Sequence, residues 1–393
     1  MFIMARNEKV ELKQHISFGA VVSTFGSILI ALGIAWLIAL NWATIPSALK
    51  VIILVFATAG AYVAGVLFRT HDYEKIGSSL LVLGALLYTL SIFLIAQTFN
   101  LAVSLQANAF LLLLGWVGIV FASYIFDSSP SLIIALAEFL VWISLQYFSF
   151  VELFSGDFSV GILAIIYLIV GVGLYGLTQI HKSRDHKFAG VYRYWTAFYV
   201  LILAYILSFQ SLLPMLWPEN FSLTTSVLFF LIIISIVAVI SAITGIFMSV
   251  NKNKITGKEV VSFICLVFLY ILLISLASLV SGESIYSGSM SGGLWAMWLF
   301  DNLLFILVIL SVIGYGTRYK SAKIVNLAIM FFALDIITRY IGFVLDFGGQ
   351  VGFAVMSIIG GIILIIGGWG IEKWRRGLIE KTKQKSEQNY SIY

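Results

Sequence analysis

Asp335 and Arg339 stand four residues apart inside an apolar stretch, Ala322–Phe347, long enough to cross a membrane. A charge at bilayer depth costs roughly 2.5–3.5 kcal/mol on insertion scales, so it is rarely present without a reason. At that spacing the two side chains share one helix face and can reach each other. The face continues through Gly342 to Asp346, so protein or water, rather than lipid, is expected beside it. The chemistry open to such a pair is a register-fixing ion pair, the lining of a solute or proton path, or an acid–base couple.

Two further carboxyls lie well inside apolar runs, Asp301 and Glu138. At 1.5 Å per residue, Asp335 falls near the midplane and Arg339 roughly 12 Å from the outer end of its helix. Asp301, with Asn302 beside it, enters about 9 Å from the outer side of the preceding span, so Asp301 is expected to meet Arg339 at similar depth. Glu138 has no cation near it in sequence and is read as neutral and hydrogen-bonded, paired in three dimensions, or protonatable. A second polar group, Gln97, Asn100, Gln106 and Asn108, reads either as an interfacial loop with helix caps or as an outer vestibule shared with Asp301, Arg339 and Asp346.

The elements that position these residues follow from composition. Of 393 residues, 61% are hydrophobic and 10% charged, with mean hydropathy +1.06. Soluble domains average about 25% charged residues, so the fold class is an all-α integral membrane protein with no soluble domain. Twelve runs reach spanning length: 16–40, 48–68, 76–99, 107–126, 131–151, 160–180, 194–213, 223–248, 260–280, 295–315, 322–347 and 352–371. The first is too long for a signal h-region of about 7–15 residues and is expected to stay as the first helix. With both termini cytoplasmic, every Lys and Arg but Lys50 and the embedded Arg339 falls on the inner side, as the positive-inside rule asks.

Residues 1–15 therefore form a short cytoplasmic segment, 16–371 the transmembrane domain and 372–393 a basic cytoplasmic tail. The basic stretch His181–Arg193 splits the domain into six plus six helices, as in many two-bundle transporters. Glycines crowd several spans, Gly171, Gly173 and Gly176 among them, where small residues let membrane helices approach closely. The net charge of +5 sits in loops and tail and argues for orientation, not for nucleic acid. The single Cys265 excludes a disulfide framework or thiolate metal site. All four histidines fall in cytoplasmic segments, which excludes an intramembrane bis-histidine haem, and no metal or cofactor is expected.

Three stretches carry a resemblance to a known family. They are Gly33 to Lys50 with Asn41-Trp42, Ala96-Gln97-Thr-Phe-Asn100 with Trp116 and Trp142 following, and Arg339-Tyr340 ahead of a glycine-rich last helix. In these the chain resembles the bacterial polytopic membrane proteins of domain of unknown function 2157. The resemblance implies a bacterial inner-membrane protein, and it marks Asn41, Trp42, Gln97, Asn100, Arg339 and Tyr340 as outer-face motif positions. It supplies no activity. The expected function is a secondary carrier or flippase-like transporter, not an enzyme, with the lipid bilayer and a small or lipid-linked solute as partners. A non-catalytic envelope or assembly protein and an enzyme on a lipid-linked substrate are the alternatives.

Overall fold

In the computed structural model the described residues are 40, 42–153, 157–218, 221–280 and 292–346, with the isolated positions 358, 361, 362, 369, 373, 376 and 377. Among them, ten helices are long and apolar enough to cross a membrane and no strand occurs. They are α1 (Ser47–Thr70), α2 (Glu74–Thr98), α3 (Leu105–Ile125), α4 (Ser129–Leu153), α5 (Val160–Ser183), α6 (Phe188–Leu207), α7 (Thr225–Asn251), α8 (Gly257–Leu276), α9 (Gly292–Arg318) and α10 (Ala322–Asp346). Each answers to one expected span, from 48–68 to 322–347. The spans 16–40 and 352–371, with Asn41 and most of the tail, lie outside the described residues. The chain is an all-α, multi-pass membrane protein. Large apolar side chains such as Phe56, Ile233 and Ile243 point outward, which in a polytopic protein is the face lipid covers.

Five tight turns join α1 to α2, α3 to α4, α5 to α6, α7 to α8 and α9 to α10, and one backbone device closes all five. Two residues past the ends of α1, α3, α5, α7 and α9 stand Asp72, Asp127, Asp185, Asn253 and Lys320, each with φ between 48° and 65°. The next N–H then reaches back five residues. Tyr73 bonds Phe68 O at 2.9 Å, Ser128 bonds Ser123 O at 2.9 Å, and His186 bonds His181 O at 3.0 Å. Lys254 likewise bonds Ser249 O, and Ser321 bonds Gly316 O, both at 2.8 Å. This Schellman closure satisfies carbonyls that a helix end leaves orphaned, and Asp and Asn adopt its left-handed residue at lower cost than most. Asp72→Val is expected to lower stability by about 1–2 kcal/mol, while Asp72→Gly leaves it unchanged or higher. Equal thermal midpoints for the two detergent-purified variants would refute this.

All five turns lie at one end, which also gathers the basic side chains. There Arg69 Nη1 donates to Phe126 O at 2.5 Å and Lys252 Nζ to Ser183 O at 2.8 Å, placing cations on helix C-termini as the helix dipole favours. The expected basic loop 181–193 is corrected at this point. Its two sides are helical, α5 running on to Ser183 and α6 starting at Phe188. The span expected at 194–213 therefore begins and ends six residues earlier, and Arg193 is a helix residue.

Packing centres on α6. One hydrophobic core joins it to α8, α9 and α10 through Leu201, Leu207, Leu273, Phe305, Val308 and Ala328. A second joins it to α4, α5 and α7 through Phe188, Tyr199, Ile143, Ile166 and Phe230. A smaller cluster of Ala85, Ile119 and Ala135 holds α2, α3 and α4.

Candidate functional site

Arg339 ties three helices together at the end of the bundle away from the basic turns. Its Nε donates to Asp335 Oδ1 at 3.2 Å, one turn back along α10. Its Nη2 donates to the carbonyl of Ser208 at 2.5 Å and to Ser208 Oγ at 2.7 Å. Ser208 caps α6, so its carbonyl is among those a helix end leaves without an internal donor. A third contact, at 3.2 Å, goes to Asn302 Oδ1 of α9. Asn302 Nδ2 bonds Trp298 O at 2.7 Å, which holds the amide oxygen toward the guanidinium. The Phe209 ring lies 4.9 Å and the Trp298 ring 6.0 Å from the guanidinium carbon, within cation–π range.

Asp301 does not take the place expected of it beside Arg339. One residue turns a helix by about 100°, and Asn302, not Asp301, is the residue that bonds the guanidinium. Asp301 is fully buried, and neither carboxyl oxygen has a hydrogen-bond partner among the described residues. It remains within electrostatic reach of Arg339, Asp335 and the buried Tyr270 of α8, whose hydroxyl is also without a partner. The cluster thus holds one guanidinium, one carboxyl bonded to it, and one carboxyl bonded to nothing. It carries one negative charge when Asp301 is ionised and none when Asp301 is protonated.

Glu138 forms a separate site in the other half of the bundle. Both its oxygens accept from the Thr89 hydroxyl, at 3.0 and 3.1 Å. Gly115 of α3 makes the room, since a Cβ there would stand 2.4 Å from Glu138 Oε1. The carboxyl lies in the wall of a groove between α2 and α4 that Leu86, Phe93 and Val141 also line. No cation pairs with it among the described residues.

The other candidates are scattered. Gln97 and Asn100 are exposed at the end of α2, Asn100 with φ 55°. Gln106 instead accepts from Gln146 Nε2 at 3.2 Å and Ser149 Oγ at 2.6 Å, joining α3 to α4. No hydrogen bond connects this group to Arg339 or Asp301 among the described residues. Trp42 sits in a short 3-10 turn with Lys50 Nζ 5.4 Å above its ring. Tyr340 is partly buried in α10, and Asp346 ends that helix with its side chain outside the described residues. Sequence reasoning missed Ser208 and Thr89, small hydroxyls that no periodicity singles out. No group of three or more His, Cys, Asp or Glu side chains is placed to hold a metal among the described residues.

The fold and this buried polar cluster define a multi-pass α-helical membrane protein. Residues 3–132, the amino-terminal third, match the family described as predicted membrane protein (DUF2157), whose function is unknown. That stretch contains the Asn41-Trp42 and Gln97–Asn100 motifs, and Arg339-Tyr340 lies beyond it. No curated protein and no solved structure matches the chain.

Proposed function

We propose that this protein is a secondary carrier or flippase-like transporter of a small or lipid-linked solute, working through the Asp335–Arg339–Asp301 cluster. The observation that carries the reading is Asp301, a fully buried carboxyl with no hydrogen-bond partner among the described residues, beside a guanidinium whose bonds go elsewhere. Buried polar groups are nearly always satisfied, and an exception calls for a reason. A charge pair that only fixes register gives no reason for it. A carboxyl that takes up a proton or a solute in one state and releases it in another does. The excess of Lys and Arg in the turns supports a cytoplasmic basic end in a bacterial inner membrane, and on that reading the cluster faces the outer side.

A structural, assembly-type role is the second reading, favoured by the saturation of Arg339 by Asp335, Ser208 and Asn302. Accessibility separates the two. In a Cys265→Ser background, Asp301→Cys and Asp335→Cys are expected to react with a membrane-impermeant maleimide from the outer side of cells. In inside-out vesicles they are expected to react more slowly. Absence of labelling from both sides, in protein that elutes as the native species, removes the carrier reading.

A further inference from the structure

The basic end contains a second site, apart from the Arg339 cluster. A cavity of about 360 Å³ is set into the bundle there, with α8 on one side, α9 on the other and α6 behind. At its loop end it is lined by Arg193, Lys258, Glu259 and Arg318, three cations to one carboxylate. Six to eight residues deeper along the helices, about 9–12 Å, the lining becomes Val200, Leu266 and Val312. The volume lies within the range of small-molecule sites.

Tyr319 organises the polar half. Its hydroxyl accepts from Lys182 Nζ at 2.6 Å and donates to Glu259 Oε2 at 2.5 Å, and Arg318 Nη1 lies 3.7 Å from the same oxygen. The Arg193 guanidinium stacks over the Tyr319 ring at 4.5 Å. Two buried atoms of the lining are left over among the described residues. Arg193 Nε is a donor without an acceptor, and Glu259 Oε1 is an acceptor without a donor. A ligand that fits brings an anionic oxygen to the first and a hydroxyl to the second, and continues as a chain into the apolar depth.

We infer that this cleft binds an anionic phospholipid with a hydroxyl-bearing headgroup, its phosphate on Arg193, Arg318 and Lys258 and its hydroxyl on Glu259. Charge-assisted hydrogen bonds to a phosphate are the strong ones, and arginine forks suit its geometry. A basic pocket between membrane helices, polar at the headgroup level and apolar below, matches the amphiphile along its length. Free phosphate esters share the headgroup chemistry but leave the apolar half of the cleft empty.

Gly314 of α9 lines the cleft, and a Cβ built there meets nothing within 4 Å. A side chain at this position therefore fills the cavity without disturbing its charges or the helix. The test is native mass spectrometry of the full-length protein released from detergent, titrated with phosphatidylglycerol, phosphatidic acid, phosphatidylcholine and glycerol 3-phosphate. The wild type is expected to retain phosphatidylglycerol about tenfold more tightly than phosphatidylcholine, the factor of one charge-assisted hydrogen bond. Gly314→Phe is expected to lose that preference, and Glu259→Gln to weaken phosphatidylglycerol while sparing phosphatidic acid. If the phenylalanine variant does not fold, Ser262→Phe on the opposite wall gives the same readout. Equal retention of phosphatidylglycerol by wild type and the filled variant overturns the inference. So does equal retention of phosphatidylcholine, or displacement of the lipid by millimolar glycerol 3-phosphate, which assigns the site to a soluble ester.

Discussion

Gly245→Leu is expected to remove a large part of the protein's stability, whereas Gly171→Ala leaves it intact. The difference lies in what a side chain would meet. A Cβ on Gly245 stands 2.3 Å from Gly176 O, and one on Gly176 stands 2.3 Å from Ser241 C. Both obstacles are backbone, which no rotamer change can move aside. Gly171, on the same helix as Gly176, has open space beside it. Helices α5 and α7 run parallel at this crossing, and side chains of α7 bond carbonyls of α5 along its length. Ser241 Oγ donates to Gly173 O at 3.0 Å, Ser249 Oγ to Gln179 O at 2.9 Å, and Lys252 Nζ to Ser183 O at 2.8 Å. Prising the helices apart loses these as well. Overpacking costs about 1–3 kcal/mol, and interhelical bonds in membranes add about 0.6 kcal/mol each. The total, about 3–5 kcal/mol, is a large share of the roughly 5–15 kcal/mol that holds a domain folded. Fluorescence-detected size-exclusion chromatography of tagged protein measures it, and a monodisperse Gly245→Leu peak at wild-type level would defeat the argument.

Those glycines show what sequence carries and what it withholds. The presence of Gly171, Gly173 and Gly176 together announces close packing, because small residues permit it. Which of the three touches a neighbour depends on the face α7 occupies, and no local pattern holds that. The spans from 48–68 to 322–347 are legible for the opposite reason. Hydropathy is a sum over a window, so single-residue errors average out. The displaced span at 194–213 fails where the averaging is defeated by chemistry between distant residues. Arg193 looks like loop charge until Tyr319, 126 positions later, covers it. The five turns leave no sequence repeat because what recurs is a left-handed backbone residue that Asp, Asn or Lys can each provide. That Asp301 and Arg339 share one level of the bundle was likewise readable, but a shared level cannot tell Asp301 from Asn302. A rotation of one residue decides which bonds the guanidinium and which is left alone.

Arg339→Leu is the second large loss to expect. Removing the guanidinium leaves Asp335 unpaired and takes the side-chain donor from the carbonyl of Ser208. It also leaves Asn302 Oδ1 with nothing to accept. Breaking a buried ion pair costs about 3–5 kcal/mol. The side chains here are 28% and 18% exposed, which puts the cost at the lower end, about 3 kcal/mol. Asp335→Asn costs less, about 1 kcal/mol, because Arg339 keeps Ser208 and Asn302 and the amide oxygen still accepts. Thermal midpoints in detergent would rank the two, and equal losses would mean that Ser208 and Asn302 contribute nothing. The same geometry decides which variant can reveal function. Exchanging the charges, Asp335→Arg with Arg339→Asp, sets a carboxylate against the Ser208 carbonyl, so the exchange destabilises even a purely structural pair. Its failure would be uninformative. Asp335→Asn keeps the bonds that link α10 to α6 and α9 and removes only the charge. A protein that folds with this change and yet loses its cellular phenotype needs the carboxylate for chemistry or transport, and one that keeps the phenotype uses the pair to hold helices.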